Sequence, residues 1–298
     1  MTKTFKEKWL ESVERKNSVL CAGLDPADFK MRRGDKGLPE EANKLKWAVD
    51  YVRTVAPYVT AIKPNFQYWK GIGDLERLRT INNVAKELDL IVIDDSKLAD
   101  IGSTNEAGVF YSKDMMADAV TIAPYAGNME ETKKYCNKHG IGAITMCLMS
   151  NPEYQREKNM LVRLNENEKN EYQFEDIMVS EFSEEIFTKR YLSLAHDANK
   201  FGLDGIVVGA TSKDNHIEEY EIERVREYFG NNGIVLLPGV GAQGGEAKLI
   251  WKHFDKNNVI VNVGRSLMFP KGSNSTPDDQ AKTAIEYRDM LNQSRIKQ

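Results

Sequence analysis

The sequence predicts an α/β protein built as a (β/α)8 (TIM) barrel, on three observations. Eight short apolar runs recur along the 298 residues, stretches of helical period separate them, and glycine-rich turns follow the last two. Strict alternation of strand and helix implies parallel strands joined by right-handed crossovers. An open, doubly wound sheet is the competing architecture. The strand count and the position of the glycine turns favour the barrel.

Residues 3–15 read as a helix packed across the bottom of the barrel, ahead of the first strand. Strands are expected at 18–24, 59–63, 90–95, 119–123, 141–148, 204–209, 233–238 and 258–263, each an apolar run bounded by polar or turn residues. Helical spacing fills the intervals at 40–56, 74–88, 103–116, 128–139, 181–201, 214–229 and 244–255, and a last helix fits 277–294. A polar stretch at 151–180, within which 165–170 are all charged or amide residues, is inserted after the fifth strand. That position puts it on the catalytic face, as either a lid or a solvated insertion. No internal repeat, low-complexity tract or linker interrupts the chain, so residues 1–298 are expected to form a single domain.

Composition narrows the function classes. Apolar residues at 41% suffice for a large core, while charged residues at 29% and a net charge of −4 lack the basic bias of a nucleic-acid binder. The short cluster Lys30-Met31-Arg32-Arg33 reads as a solvated loop rather than a polyanion site. The first residues lack the apolar core of a signal peptide, and no stretch approaches the roughly 18 apolar residues of a membrane span. Cys21, Cys136 and Cys147 are few, odd in number and far apart, which points to a reduced, cytoplasmic protein with Cys21 and Cys147 as small core residues. His139, His196, His216 and His253 show no metal-ligand spacing, and no metal is expected.

Chemistry concentrates at the ends of the first three strands. The third runs into Asp95-Ser96-Lys97-Leu98-Ala99-Asp100-Ile101, the second ends in Lys63-Pro64-Asn65 and the first in Gly23-Leu24-Asp25. Side chains alternate along a strand, so Asp95 and Lys97 share a face, with Asp100 following within reach. Adjacent strands lie about 4.8 Å apart, which makes Asp25, Lys63, Asp95, Lys97 and Asp100 an alternating row of charge. A lysine flanked by carboxylates keeps its proton. It is suited to donating that proton to a developing carbanion rather than to forming a Schiff base. A structural salt-bridge network at the barrel rim is the bland alternative.

A phosphate grip is expected on the opposite side of the mouth. Pro238-Gly239-Val240-Gly241-Ala242-Gln243-Gly244-Gly245 follows the seventh strand, and Val263-Gly264-Arg265-Ser266 the eighth. Glycines let backbone N–H groups approach an anion, barrels recurrently bind phosphate in these two loops, and Arg265 adds a forked cation. The substrate is therefore a small phosphorylated molecule.

Taken together, these residues resemble the orotidine 5′-phosphate decarboxylase family over almost the whole chain. Residues 95–101 fit the family's Asp-x-Lys-x-x-Asp-Ile, Lys63-Pro64-Asn65 resembles its second-strand motif, Ser150-Asn151-Pro152 stands where a Ser or Thr contacts the pyrimidine, and 238–245 resemble its phosphate loop. The resemblance implies decarboxylation of orotidine 5′-phosphate (OMP) to UMP. Lys97 would protonate C6, with Asp95 beside the departing carboxylate. Lys63 and Asp25 would bind the ribose hydroxyls, and Ile101 would line an apolar pocket. Gln243, Gly244, Gly264 and Arg265 would hold the phosphate. It also implies a homodimer in which Asp100 and Thr104 reach the neighbouring subunit's site, and no metal or organic cofactor. The departures are the 151–180 insertion and the long N-terminal helix. A sugar-phosphate decarboxylase of the keto-gulonate phosphate type is the nearest rival, and Lys63 stands where those enzymes carry a metal-binding Glu. A class I aldolase and a non-catalytic nucleotide-binding barrel are weaker alternatives.

Overall fold

Eight parallel strands close into a ring in the computed structural model, which describes residues 3–31, 33–231, 233–241 and 247–296. In chain order the strands are β1 (Leu20–Leu24), β2 (Ala61–Pro64), β3 (Ile91–Leu98), β4 (Ala119–Ile122), β5 (Gly142–Leu148), β6 (Leu161–Leu164), β7 (Met178–Val179), β8 (Ile186–Lys189), β9 (Gly205–Val208), β10 (Ile234–Leu237), β11 (Val259–Val263) and β12 (Pro270–Ser273). The barrel runs β1-β2-β3-β4-β5-β9-β10-β11, and β11 returns to β1 with Leu20 opposite Val261. That last pairing rules out an open sheet. All eight expected strands are present. They are legible because strands covered on both sides are continuously apolar, and β1, β2, β4, β9 and β10 are buried at every residue.

The helices are α1 (Phe5–Lys16), α2 (Lys44–Val55), α3 (Asp74–Glu87), α4 (Gly102–Asp114), α5 (Met129–His139), α6 (Tyr154–Lys158), α7 (Glu166–Lys169), α8 (Arg190–Lys200), α9 (Glu219–Phe229), α10 (Arg265–Met268) and α11 (Pro277–Ile296). A Thr4/Glu7 capping box starts α1, and Asn17 in the left-handed region ends it. Its buried face carries Phe5, Trp9 and Val13. The Trp9 indole N–H donates to the Asn257 carbonyl at 2.8 Å, just ahead of β11. Phe5 lies so close to Gly142, at the start of β5, that a Cβ there would meet its ring at 2.6 Å. The helix thus covers the N-terminal ends of the strands, as its sequence suggests.

Three expectations change. The helix read at 181–201 begins only at Arg190, because Ile186–Lys189 alternate inward and outward as β8 and pair antiparallel with β6 and β7. The polar stretch 151–180 accordingly holds α6, β6, α7 and β7, and its sheet is completed by β8 beyond residue 180. The segment read as a helix at 244–255 has a short 3-10 turn at Lys248–Lys252, residues 242–246 lying outside the described part.

Candidate active site

At the C-terminal mouth of the barrel lies a cavity of about 720 Å³, walled by Asp25, Lys63, Asp95, Lys97 and Thr121 on one side and by Pro238, Gly239, Gly264, Arg265 and Ser266 on the other. Asp95 is its centre. One carboxylate oxygen takes the Lys63 ammonium and the other takes Lys97 at 2.6 Å. Lys63 and Asp95 are almost fully buried, at 6% and 9% side-chain exposure, whereas Lys97 keeps 38% and reaches into the open cavity. A buried carboxylate bridging two ammonium groups is a strong electrostatic arrangement.

The protonation states follow from competing causes. Burial disfavours charge on Asp95, yet Lys63 and Lys97 outweigh it and hold the carboxyl well below its usual range. Burial likewise disfavours charge on Lys63, and Asp95 and Asp25 reverse the balance, raising its pKa. At Asp25 burial wins over Lys63, and the carboxyl is pushed up. One Asp25 oxygen is buried without a hydrogen-bond partner, as is Oδ1 of cavity-lining Asn262 on β11. Two unpartnered acceptors beside a cavity suit hydroxyl donors of a ligand.

Local backbone geometry aims Lys97. The β3–β4 register shifts between Asp94 and Leu98, a bulge of the kind that redirects side chains beside active sites. Within it Lys97 adopts φ +54°, a left-handed conformation that costs a non-glycine residue about 1–3 kcal/mol. Simple strand alternation, from which the sequence places Asp95 and Lys97 on one face, is therefore not what brings them together. At the opposite wall, β1 approaches the start of the Arg265 loop at Gly23, where a Cβ would stand 2.8 Å from the Gly264 Cα. Tyr287 on α11 donates to Ser266 Oγ at 3.2 Å and props that loop.

Of the residues picked from sequence, Asp25, Lys63, Asp95, Lys97, Gly264 and Arg265 share the cavity. Gln243 and Gly244 lie outside the described residues. Asp100 does not join the row within one chain: it is exposed, makes no ion pair among the described residues, and accepts from the Ile101 N–H at 2.8 Å. With Thr104 it lines a separate groove of about 680 Å³ between α3 and α4 that also touches Lys97. Ile101 is 59% exposed. Ser150 is half-buried against Gly209 and is not part of the cavity wall. Sequence reasoning missed Thr121 and Asn262, and also Lys36. It read the stretch around Arg33 as solvated loop, whereas Arg33 and Lys36, though exposed, line the cavity. Leu38 N–H donates to the Ala27 carbonyl at 2.8 Å and ties cavity-lining Ala27 to the residues that follow Lys36. Among the described residues no group of three His, Cys, Asp or Glu could hold a metal ion.

Comparison with known proteins agrees with this geometry. Residues 18–271 match the family described as orotidine 5′-phosphate decarboxylase / HUMPS. An orotidine 5′-phosphate decarboxylase of Polaromonas naphthalenivorans is 32% identical over 96% of this chain and 95% of its own. One of Ralstonia pickettii is 29% identical over 98% of this chain and 99% of its own. The structure of Leishmania donovani OMP decarboxylase superposes with a TM-score of 0.72 at 20% identity, covering 99% of both chains, a likeness of fold.

Proposed function

The chain belongs to the orotidine 5′-phosphate decarboxylase / HUMPS family, and from that membership and the charged cavity we propose that it converts OMP to UMP and CO2. It is on this reading a carboxy-lyase of pyrimidine biosynthesis. The observation that carries it is the buried row in which Asp95 joins Lys63 and Lys97 at one wall of a cavity whose other wall offers Arg265.

The phosphate sits between the loops after β10 and β11, held by Arg265, the backbone at Gly264, and Gln243 and Gly244. Asp25 and Lys63 take the ribose hydroxyls. The carboxylate then faces Asp95. The bond from C6 to the carboxyl carbon breaks, CO2 leaves and the electron pair remains at C6. Lys97 delivers a proton there and is recharged from solvent. A fixed row of charge provides stabilisation without reorganisation. The sugar-phosphate alternative would need an acidic metal ligand at position 63, where a lysine paired to Asp95 stands. We further propose a homodimer in which Asp100 and Thr104 complete the partner's site, supported by their exposure on an outer groove. Three free, buried cysteines are in keeping with a cytoplasmic setting.

Loss of orotate absorbance tests the assignment. Purified protein with chelator present should consume OMP, and Lys97→Ala should lower kcat by about 10³-fold or more, near the upper range for a proton-transfer group. A fresh wild-type preparation that leaves saturating OMP untouched would overturn the assignment.

A further inference from the structure

Thr121, on β4, is a buried hydroxyl with an unusual set of partners. It accepts from the Lys97 backbone N–H at 3.0 Å. Its own proton goes to Asp95 Oδ1 at 3.1 Å in preference to the Asp94 carbonyl at 3.5 Å. Asp95 Oδ1 is the same oxygen that receives the Lys97 ammonium. A closed ring results, running from the lysine's backbone through the hydroxyl and the carboxylate to the lysine's own side-chain tip.

The reason for such a ring lies in the bulge. The register shift between Asp94 and Leu98 interrupts the β3–β4 ladder, which is bonded again where Ala123 N–H donates to Leu98 O, and within that stretch the Lys97 N–H is held by the Thr121 hydroxyl. A buried N–H without a partner is costly, and the left-handed conformation of Lys97 has no glycine to ease it. Thr121 supplies the missing acceptor and, with the same oxygen, orients the carboxylate that fixes the ammonium. We propose that Thr121 is a positioning residue for the reaction, coupling the strained backbone of Lys97 to the Asp95 carboxylate so that the ammonium is aimed into the cavity. The inference rests on Lys97 being the proton donor.

Thr121→Val keeps a β-branched shape suited to the strand and removes only the hydroxyl; Thr121→Ser restores it. The expected result is a kcat about 100-fold lower in Thr121→Val, KM for OMP and affinity for UMP within about threefold of wild type, and recovery to within about fivefold in Thr121→Ser, the size of a 1 Å misplacement. A Thr121→Val kcat within threefold of wild type overturns the proposal, and so does a Thr121→Ser variant as impaired as Thr121→Val. A wild-type protein without OMP turnover refutes the decarboxylase reading instead. A crystal structure of Thr121→Val then decides the positioning role. Lys97 leaving the left-handed region, with its ammonium off Asp95, supports it, and an unchanged Lys97 overturns it.

Discussion

Asp25 and Asp95 share a cavity wall, yet their surroundings push them in opposite directions, and each substitution to asparagine should reveal its own sign. Burial raises the folded-state pKa of Asp25, so at neutral pH its ionised form costs stability, a cost that disappears once both states are protonated below about pH 4. Asp25→Asn should therefore raise the urea midpoint at pH 7 while lowering activity, and the gain should vanish in acid. Despite burial, the paired lysines depress the Asp95 pKa, so its contribution is complete above the unfolded value of about 4 and is lost as pH falls towards the lower folded value. Asp95→Asn leaves the Lys63 ammonium buried without its partner and should cost about 3 kcal/mol or more at pH 7, narrowing below about pH 4. Urea titrations at the two pH values measure both, and equal signs at neutral pH would contradict the electrostatic account. The two acids and two lysines were legible because charge at the end of an apolar run has few bland explanations. Thr121 was not, since one threonine in a buried strand reads as an ordinary β-former until the bulge beside it is seen.

Helix α6 and helix α9 are tied by an ion pair from which water is excluded: Lys158 reaches Glu221 at 2.6 Å, with side-chain exposures of 5% and 1%. Lys158 also donates to the His216 carbonyl at 2.6 Å, and the His216 ring meets the Asn151 carbonyl at 3.0 Å, so the loops after β5 and β9 are joined at the start of the insertion. Removing one member of a buried pair strands the other, at about 3–5 kcal/mol. Lys158→Ala should lose that much in a denaturant titration. The double change Lys158→Met, Glu221→Leu should recover most of it, because two apolar side chains leave no buried charge. A double variant no more stable than the single one would mean that the two groups do not act as a pair. None of this was visible in the sequence: residues 63 positions apart carry no spacing signal. The neighbouring misreading of β8 as helix has a similar origin. Four residues of alternating burial are too short a run to outweigh the helical pattern that begins at Arg190.

The molecule as a whole carries a net charge of −4, yet among the described residues its cavity is lined by five basic side chains (Arg33, Lys36, Lys63, Lys97 and Arg265) against two acidic ones (Asp25 and Asp95). A barrel concentrates this inversion because all eight strand ends converge on one mouth, so residues far apart in sequence add their fields in one concave, low-dielectric space. The proposed substrate matches the excess: a phosphate monoester carries about −1.5 to −2 and the orotate carboxylate one charge more. Lys63 and Lys97 are spoken for by Asp95, which leaves, among the described residues, Arg265 after β11 and Arg33 and Lys36 at the rim after β1, all three exposed, as the cations an approaching anion meets. Rim charges act chiefly on encounter and fade with salt, whose screening length is about 10 Å at 0.1 M. The double change Arg33→Ala, Lys36→Ala should therefore lower kcat/KM for OMP about tenfold at 10 mM salt, mostly through KM, and by under threefold at 0.5 M. Wild-type kcat/KM should itself fall over the same range, so the two salt curves converge. Parallel curves would mean that the rim cations bind no differently from the rest of the surface and that the cavity draws its substrate by Arg265 and the phosphate loops alone.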